Sequence, residues 1–194
     1  MDVLEAVRER RAVRDHTDRT QSESVTRSLI ETAVWAPSGV NLQPWCFVVV
    51  DDPVSLAAYS TEAEAVMSDQ ADVHPGLAPM RDMMTSPEFN IVYNAPAVVA
   101  TCATTPDEMA LEDYCLATQT LTLAAHAEGL GSCWIGSSDA WPNTPAAKAK
   151  LGIPAEFRPA APIIAPIISR CPKGPPHATE RCPPDIRYVA AGNS

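Results

Sequence analysis

The chain has 194 residues, with 14 Lys and Arg side chains against 24 Asp and Glu, which gives a formal charge of −10 at pH 7. An acidic protein of this kind is poorly suited to bind nucleic acid or an anionic membrane surface, because both need many basic contacts. The length fits a single domain, and 46% of the residues are hydrophobic, which is enough for a real core.

The charges are distributed unevenly along the chain. Residues 1–27 carry as many basic as acidic side chains, 28–147 carry a net charge of −14, and 148–194 carry a net charge of +4. Thirteen of the fourteen cations therefore lie in the two end segments. This pattern raises the hypothesis that the two ends meet around one small anion.

The sequence favours a reduced, cytoplasmic protein. No segment approaches the roughly 18 consecutive apolar residues of a membrane helix, and the first residues, MDVLEAVRERR, lack the apolar region of a signal peptide. The six cysteines are scattered and form no C-x-x-C motif. They indicate buried thiols rather than a metal site or a disulfide framework, so we expect no metal and no membrane partner.

Helices and strands mix along the chain without a regular βαβ order, which predicts an α+β fold. The predicted elements are helix 2–11, a helix opened by the capping-box pattern Thr20-x-x-Glu23 and stopped by Pro37, strand 46–50, helix 53–68, strand 95–103, helix 106–128 closed by Gly129, strand 131–137, helix 143–151 and strand 160–169. Residues 46–50 lack alternation, which is typical of a strand buried on both faces. Two prolines in 160–169 confine that strand to a sheet edge or to an irregular pairing.

Two stretches are predicted to be irregular. Residues 69–90 are polar and broken by proline, which predicts a mobile lid that shapes a substrate site or a loop that packs on its own subunit. Prolines crowd the end of the chain. We therefore expect a domain at 1–169 and a proline-rich carboxy-terminal extension of the same domain at 170–194.

An arginine cluster near the amino end suits an anion. Arg8, Arg10, Arg11 and Arg14 place four guanidinium groups within seven positions, and their forks match phosphate oxygens in geometry and charge. If the helix continues, Arg10 and Arg14 share a face and repel each other unless an anion lies between them. The alternative is a solvated basic face paired with nearby carboxylates.

Two further motifs are candidate binding elements. In PSGVNLQPW, residues 37–45, Asn41 and Gln43 can donate and accept hydrogen bonds at the edge of a heteroaromatic ring, although an ordinary turn anchored by Trp45 is the alternative. In GLGSCWIG, residues 129–136, three of the chain's eight glycines allow close approach of the backbone. The glycine spacing is not that of a Rossmann or P-loop nucleotide site.

Five motifs follow one another in order: R-R-x-x-R, A-P-S-G-x-N-x-Q-P-W, Y-x-A-P-A-V-V, G-L-G-S-C-W-I-G and L-G-I-P, over roughly residues 5–160. In this combination the chain closely resembles the nitroreductase family of FMN-dependent oxidoreductases. The resemblance implies a three-layer sandwich with a central mixed sheet flanked by helices. It also implies an intertwined homodimer that holds two FMN molecules at the subunit interface.

The resemblance implies roles for individual residues. Arg10, Arg11 and Arg14 match the basic motif that grips the FMN phosphate and ribityl chain, and Arg181 resembles the carboxy-terminal basic residue that completes the phosphate pocket. The residues that match the surroundings of the flavin ring are Pro37, Ser38 and Gly39 in a loop supplied by the partner subunit, Asn41 and Gln43 further along that loop, and Trp134, Ile135 and Gly136. No side chain is implied as a catalytic acid or base.

The chain departs from the family pattern at three places. Ala12 stands where a serine is usual, which removes one hydroxyl contact to the phosphate. Arg170-Cys171-Pro172 stands where glycine-tyrosine-proline is usual, and the basic pair of the tail is reduced to Glu180-Arg181. We expect a phosphate pocket that keeps its charge, with Arg170 or Arg187 as a candidate replacement.

The function implied by the resemblance is a ping-pong reaction. NADH or NADPH reduces FMN, and a nitroaromatic, a quinone or another electron-poor small molecule then accepts the electrons. Two alternatives remain open: the same fold used to dehydrogenate or dehalogenate a specific substrate, and a flavin-binding sensor or carrier without turnover.

Overall fold

The computed structural model describes residues 1–16, 22–71, 83, 86, 88–164, 182 and 184. The helices are α1 (Val3–Glu9), α2 (Glu23–Ala33), α3 (Pro53–Ala71), α4 (Glu108–Ala127) and α5 (Pro145–Leu151). The strands are β1 (Trp45–Val50), β2 (Val98–Ala103), β3 (Cys133–Trp134) and β4 (Arg158–Ile164). Among the helices described, none has the length and apolar character needed to cross a membrane.

Local capping explains most helix ends. The Asp2 carboxylate accepts hydrogen bonds from two main-chain N–H groups at the start of α1, and the Thr144 hydroxyl accepts one at the start of α5. Gly152 is the C-cap of α5, and its φ of 67° suits glycine. The capping box predicted at Thr20 is wrong, because the N-cap of α2 is Ser22 and its side chain makes no capping bond. Thr20 itself lies outside the described residues.

The four strands form one sheet in the order β1-β2-β4-β3, and all neighbours pair antiparallel. The resemblance implies a mixed sheet, which contains parallel as well as antiparallel pairs. In the described part of the chain, parallel pairing occurs at an isolated bridge between Ala12 and Ser132. The prediction that β1 is buried on both faces is wrong for the single chain. Among the strands that the structure describes, β1 has one neighbour, and Val49 remains 37% exposed, whereas every residue of β2 is buried.

β4 lies inside the sheet, between β2 and β3, so of the two predicted alternatives, an edge position or an irregular strand, the first does not apply. Its predicted irregularity is confirmed, because the register against β2 shifts between Val99 and Thr101. Pro162 falls within that shift, where the ladder of hydrogen bonds is already interrupted.

Helices cover both faces of the sheet. On one face, α2 and α4 enclose a cluster formed by Leu29, Ala33, Val99, Leu121 and Ala125. On the other face, α3, α5 and residues 91–95 pack around Val98. Val98 and Val99 belong to different clusters because adjacent strand residues point to opposite faces. The result is the predicted three-layer α+β arrangement.

The two stretches predicted to be irregular are described only in part. α3 continues to Ala71 and so includes the first residues of the predicted lid at 69–90. Most of the remaining lid and the predicted boundary between 169 and 170 lie outside the described residues.

Candidate functional site

The arginine-rich segment leaves the first helix at Arg10, the C-cap of α1, whose φ is −54° and ψ 133°. The helix does not continue to Arg14, so the condition under which Arg10 and Arg14 would share a helical face is not met. The chain instead runs beside Ser132: Ala12 forms its bridge there, and the Val13 N–H donates to the Ser132 carbonyl at 3.0 Å. Two of the predicted motifs thus meet.

The side chains of the arginine segment point alternately to two opposite sides, as expected of an extended backbone. Burial raises the pKa of the Cys133 thiol, and the positive charges of Arg14 and Arg10 partly offset that rise. Arg11 and Val13 instead line a separate cavity of about 140 Å³. The charges of Arg10 and Arg14 therefore both act on Cys133 of β3.

Arg11 is partly engaged in closing α1. Its Nη1 donates to the carbonyls of Arg8 at 2.5 Å and of Arg10 at 2.8 Å. Carbonyls at a helix end lack intrahelical partners, and the helix dipole favours a cation there. The Arg11 Nε is buried and has no hydrogen-bond partner in the part of the chain that the structure describes.

The contact between the two motifs depends on Gly131. A Cβ placed on Gly131 would lie 2.8 Å from the Cβ of Val13, which is closer than side chains tolerate. Next to it, the Ser132 hydroxyl is buried and unpartnered within the described ranges. Buried polar groups normally have a partner, so this hydroxyl and the Arg11 Nε are each available to bind one.

A cavity of about 340 Å³ opens beside Arg14. The Arg14 guanidinium lies over the Tyr93 ring, 5.7 Å from its centroid, which is a cation–π distance. His16 lines the same cavity, and burial lowers its pKa while Asp15 opposes the change. The imidazole is therefore neutral near pH 7, with neither ring nitrogen partnered among the residues described.

The segment that carries Tyr93 is anchored on α3. The Ile91 N–H donates to the Glu64 carboxylate at 2.9 Å and to the Ser60 hydroxyl at 3.2 Å. Tyr93 and Asn94 follow with φ of 52° and 54°, a conformation unusual for residues other than glycine. The sequence placed Tyr93 in a motif, Y-x-A-P-A-V-V, but did not indicate that its ring meets Arg14.

The loop at 37–43 is held by hydrogen bonds within itself and to α4. The Gly39 N–H donates to both carboxylate oxygens of Asp113, at 3.1 and 3.2 Å. The Ser38 hydroxyl accepts the Gln43 N–H at 3.0 Å, and the Gln43 side-chain amide donates to the Asn41 side-chain oxygen at 3.0 Å. Asn41 and Gln43 are both exposed.

The backbone of this loop is strained. Val40, Asn41 and Gln43 have φ of 43°, 58° and 51°. Such a conformation costs about 1–3 kcal/mol per residue and persists only where the surroundings impose it. Val40 is β-branched and 87% exposed, so its own burial does not offset this cost.

The loop and the arginine segment lie at opposite ends of α4. Asp113, which holds the loop, is thirteen residues from His126, which lines the cavity shared by Arg11. At about 1.5 Å per residue, this distance is roughly 20 Å along the helix. The anchor of the loop and the cavity lined by Arg11 therefore lie far apart along α4.

The other predicted site residues differ in how exposed they are. Pro37 is exposed before the loop. Trp134 ends β3 and is 38% exposed, whereas Ile135 is buried. Gly136 is exposed and opens a short 3-10 turn. The predicted residue Arg181, like Arg170-Cys171-Pro172, lies outside the described residues.

Asp113 is a candidate residue that the sequence reasoning missed. It is 4% exposed, and it lies between Ala110 and Ala117 in the buried stripe of α4. A charged residue in an otherwise apolar helix face is a readable signal, because a carboxylate is buried only where it has a specific partner.

The chain belongs to the nitroreductase family. The pattern described as "Nitroreductase family" matches residues 7–163, which includes the arginine segment, the 37–43 loop, Tyr93 and β3. The family predicted from the order of the motifs is therefore confirmed.

Relatives and solved structures agree with this assignment. A protein of Methanothermobacter thermautotrophicus, provisionally named NADH dehydrogenase/NAD(P)H nitroreductase, is 30% identical over 140 residues, which are 70% of this chain and 61% of that protein. The chain thus spans about three-fifths of that relative. An iodotyrosine deiodinase of Haliscomenobacter hydrossis is 44% identical over 55 residues, 28% of this chain and 25% of that protein. A nitroreductase structure with bound FMN from Desulfitobacterium hafniense has the same fold, with a TM-score of 0.78 and 23% identity over 98% of this chain and 100% of that one.

Proposed function

We propose that the protein is an FMN-dependent oxidoreductase that uses NADH or NADPH to reduce a nitroaromatic, a quinone or another electron-poor small molecule. The observation that carries this proposal is the arginine segment held beside β3 of a nitroreductase fold by the Ala12–Ser132 bridge and the hydrogen bond from the Val13 N–H to the Ser132 carbonyl. FMN in the D. hafniense structure and the name of the M. thermautotrophicus relative support the choice of cofactor and electron donor.

The residues present fit the phosphate end of FMN. Guanidinium groups form charge-assisted hydrogen bonds with phosphate oxygens. The buried Arg11 Nε and the buried Ser132 hydroxyl belong to the two segments joined at the Ala12–Ser132 bridge, and both are polar atoms without partners in the described chain. We assign the FMN phosphate and ribityl chain to Arg10, Arg11 and Arg14, with Arg181 as a further contact.

When bound, FMN supplies the chemistry of accepting a hydride and passing electrons to a second substrate. The protein's part is to bind, orient and shield. Arg14, held over Tyr93, places a positive charge at one wall of the cavity, where it stabilises negative charge on a ligand. We assign the surroundings of the flavin ring to Trp134, Ile135 and Gly136.

The second part of the ring site is proposed to come from another copy of the chain. Asp113, which holds the loop at 37–43, lies roughly 20 Å along α4 from His126, which lines the cavity shared by Arg11. Trp35, Val40 and Leu42, in and beside this loop, are 86%, 87% and 61% exposed. A homodimer that buries these apolar side chains would also bring Pro37, Ser38, Gly39, Asn41 and Gln43 to the partner's flavin.

The absorption spectrum of the purified protein, before and after anaerobic addition of NADH or NADPH, tests this function. We expect flavin bands that bleach with at least one nicotinamide and return when a quinone is added, and a dimer by light scattering. A colourless protein that ignores added FMN would contradict the proposal. Tight FMN binding without nicotinamide oxidation would instead favour a flavin-binding sensor or carrier.

Reductive dehalogenation is a second candidate reaction, and the segment similar to an iodotyrosine deiodinase favours it. In this reaction two electrons from NAD(P)H, passed on by the flavin, and a proton convert an aryl carbon–halogen bond to carbon–hydrogen and release halide. Halide release from a halogenated phenol, compared with quinone reduction by the same preparation, distinguishes the two reactions. Dehydrogenation of a specific substrate would appear instead as flavin reduction without nicotinamide.

A further inference from the structure

We propose that Asp113 is a positioning residue that fixes the 37–43 loop in the conformation that contacts the flavin ring. The inference rests on the proposed function for the identity of the ligand. Its structural part rests on the contacts of Asp113 alone. Asp113 touches neither the arginines nor β3 in the described contacts, so we assign it no role in gripping the phosphate.

The contact between the loop and Asp113 is a long-range one. Both carboxylate oxygens accept the Gly39 N–H, across a separation of 74 residues in sequence. Asp113 is 4% exposed, so water competes little for these bonds. A buried carboxylate needs a specific donor, and the loop amide supplies one.

The loop needs such an anchor because its own backbone is strained. Three of its residues have positive φ without being glycine, and Val40 among them is almost fully exposed. Inside the loop, the bond between the Ser38 hydroxyl and the Gln43 N–H closes the turn but does not tie it to the rest of the fold. Asp113 provides that tie.

Gly39 lies close to a side chain of α4. A Cβ at this position would lie 2.5 Å from the Met109 sulfur, one turn before Asp113 on the same helix. The loop main chain is therefore in close contact with α4. The orientation of α4 sets the orientation of the loop.

The consequence for function is a division of labour. The arginine segment determines whether FMN binds, and Asp113 determines the environment of the ring through the loop. A change at Asp113 should therefore alter the visible circular dichroism of bound FMN and the turnover more than it alters FMN affinity.

The test compares Asp113→Leu, which removes the acceptor, with Asp113→Asn, which keeps one side-chain oxygen for the Gly39 N–H. Hydrogen–deuterium exchange of residues 37–43 is measured in both variants and in Glu112→Leu, an exposed neighbour that loses the same charge. Losing a hydrogen bond to a charged group should accelerate exchange by about tenfold or more in Asp113→Leu. Asp113→Asn and Glu112→Leu should stay within about threefold of the native protein. Asp113→Ala serves the same purpose if the leucine variant does not fold.

The flavin-bound proteins give the second readout. We expect Asp113→Leu to change the visible circular dichroism of FMN and to lower turnover about tenfold, with Asp113→Asn restoring both. Unchanged exchange in Asp113→Leu overturns the inference, and faster exchange with an unaltered flavin spectrum overturns its link to the cofactor. If the native protein binds no FMN, the proposed function fails, while the exchange data still decide whether Asp113 holds the loop.

Discussion

Gly131 lies so close to Val13 that the Cβ of any other residue there would be 2.8 Å from the Cβ of Val13. The Val13 N–H also donates to the carbonyl of Ser132, at 3.0 Å. A main-chain hydrogen bond therefore holds the arginine segment against the start of β3. The segment can approach this closely because Gly131 has no side chain. The placement of the proposed phosphate ligands depends on this contact.

Gly131→Ala should displace the arginine segment from β3. We expect a loss of stability of about 1–3 kcal/mol, as for other overpacked sites, together with weaker FMN binding. Gly129→Ala is the control: it adds the same methyl where nothing lies within 4 Å, and its φ of 77° costs only backbone strain. Urea unfolding and FMN titration of both variants measure the two effects, and equal FMN affinity in the two would contradict the prediction.

Replacing Arg10 and Arg14 together by Ala should release FMN and leave the fold intact. Each charge-assisted contact contributes about 1.5–3 kcal/mol, so the affinity should fall by more than about a hundredfold. The double variant Arg8→Ala, Arg27→Ala removes the same charge from exposed positions and should bind FMN normally. Fluorescence titration of FMN checks both. Unchanged affinity in the first variant would mean that the cluster is only a surface face.

His16 should make the protein less stable in mild acid. Burial lowers its pKa below the ordinary 6.5, so the folded state favours the neutral imidazole more than the unfolded state does. The free energy of unfolding should therefore fall as pH decreases from about 7 to 5. Above that range His16 should add no pH dependence to the free energy of unfolding, because it is neutral in both states. Urea unfolding at several pH values should show a smaller decline in His16→Gln. Parallel curves for the two proteins would exclude His16 as the responsible group.

Cys46 and Cys102 should be unreactive in the folded protein, although they are direct register partners across β1 and β2. Burial raises the pKa of Cys102 to about 12 and also raises that of Cys46. Because the thiolate is the reactive form, alkylation at neutral pH should modify the exposed Cys182 first. Peptide mapping by mass spectrometry after short exposure to iodoacetamide, with and without urea, measures this order. Rapid labelling of Cys102 without urea would show that the strand pair opens.

The parts of the site that were predictable are those with a local cause. The glycine at 131 allows a close approach, and the structure confirms that approach at Val13. Asp113 carried a local signal too, as a charge in an apolar helix stripe, but its partner is 74 residues away and no local pattern indicates it. For β4, the two prolines predict an edge position or an irregular strand, and the sequence does not decide between them. The register shift that accommodates Pro162 inside the sheet decides for the irregular strand.

The sequence by itself determined the family, the α+β class and the motifs that carry the arginines and the 37–43 loop, because these follow from residue order, turn chemistry and capping. Only the tertiary structure decided which motifs meet. It ended α1 at Glu9, held the arginine segment against Ser132, and held the loop on α4 through Asp113. The physical reason is that hydrogen bonds and packing contacts between distant segments select one arrangement among several that local preferences allow.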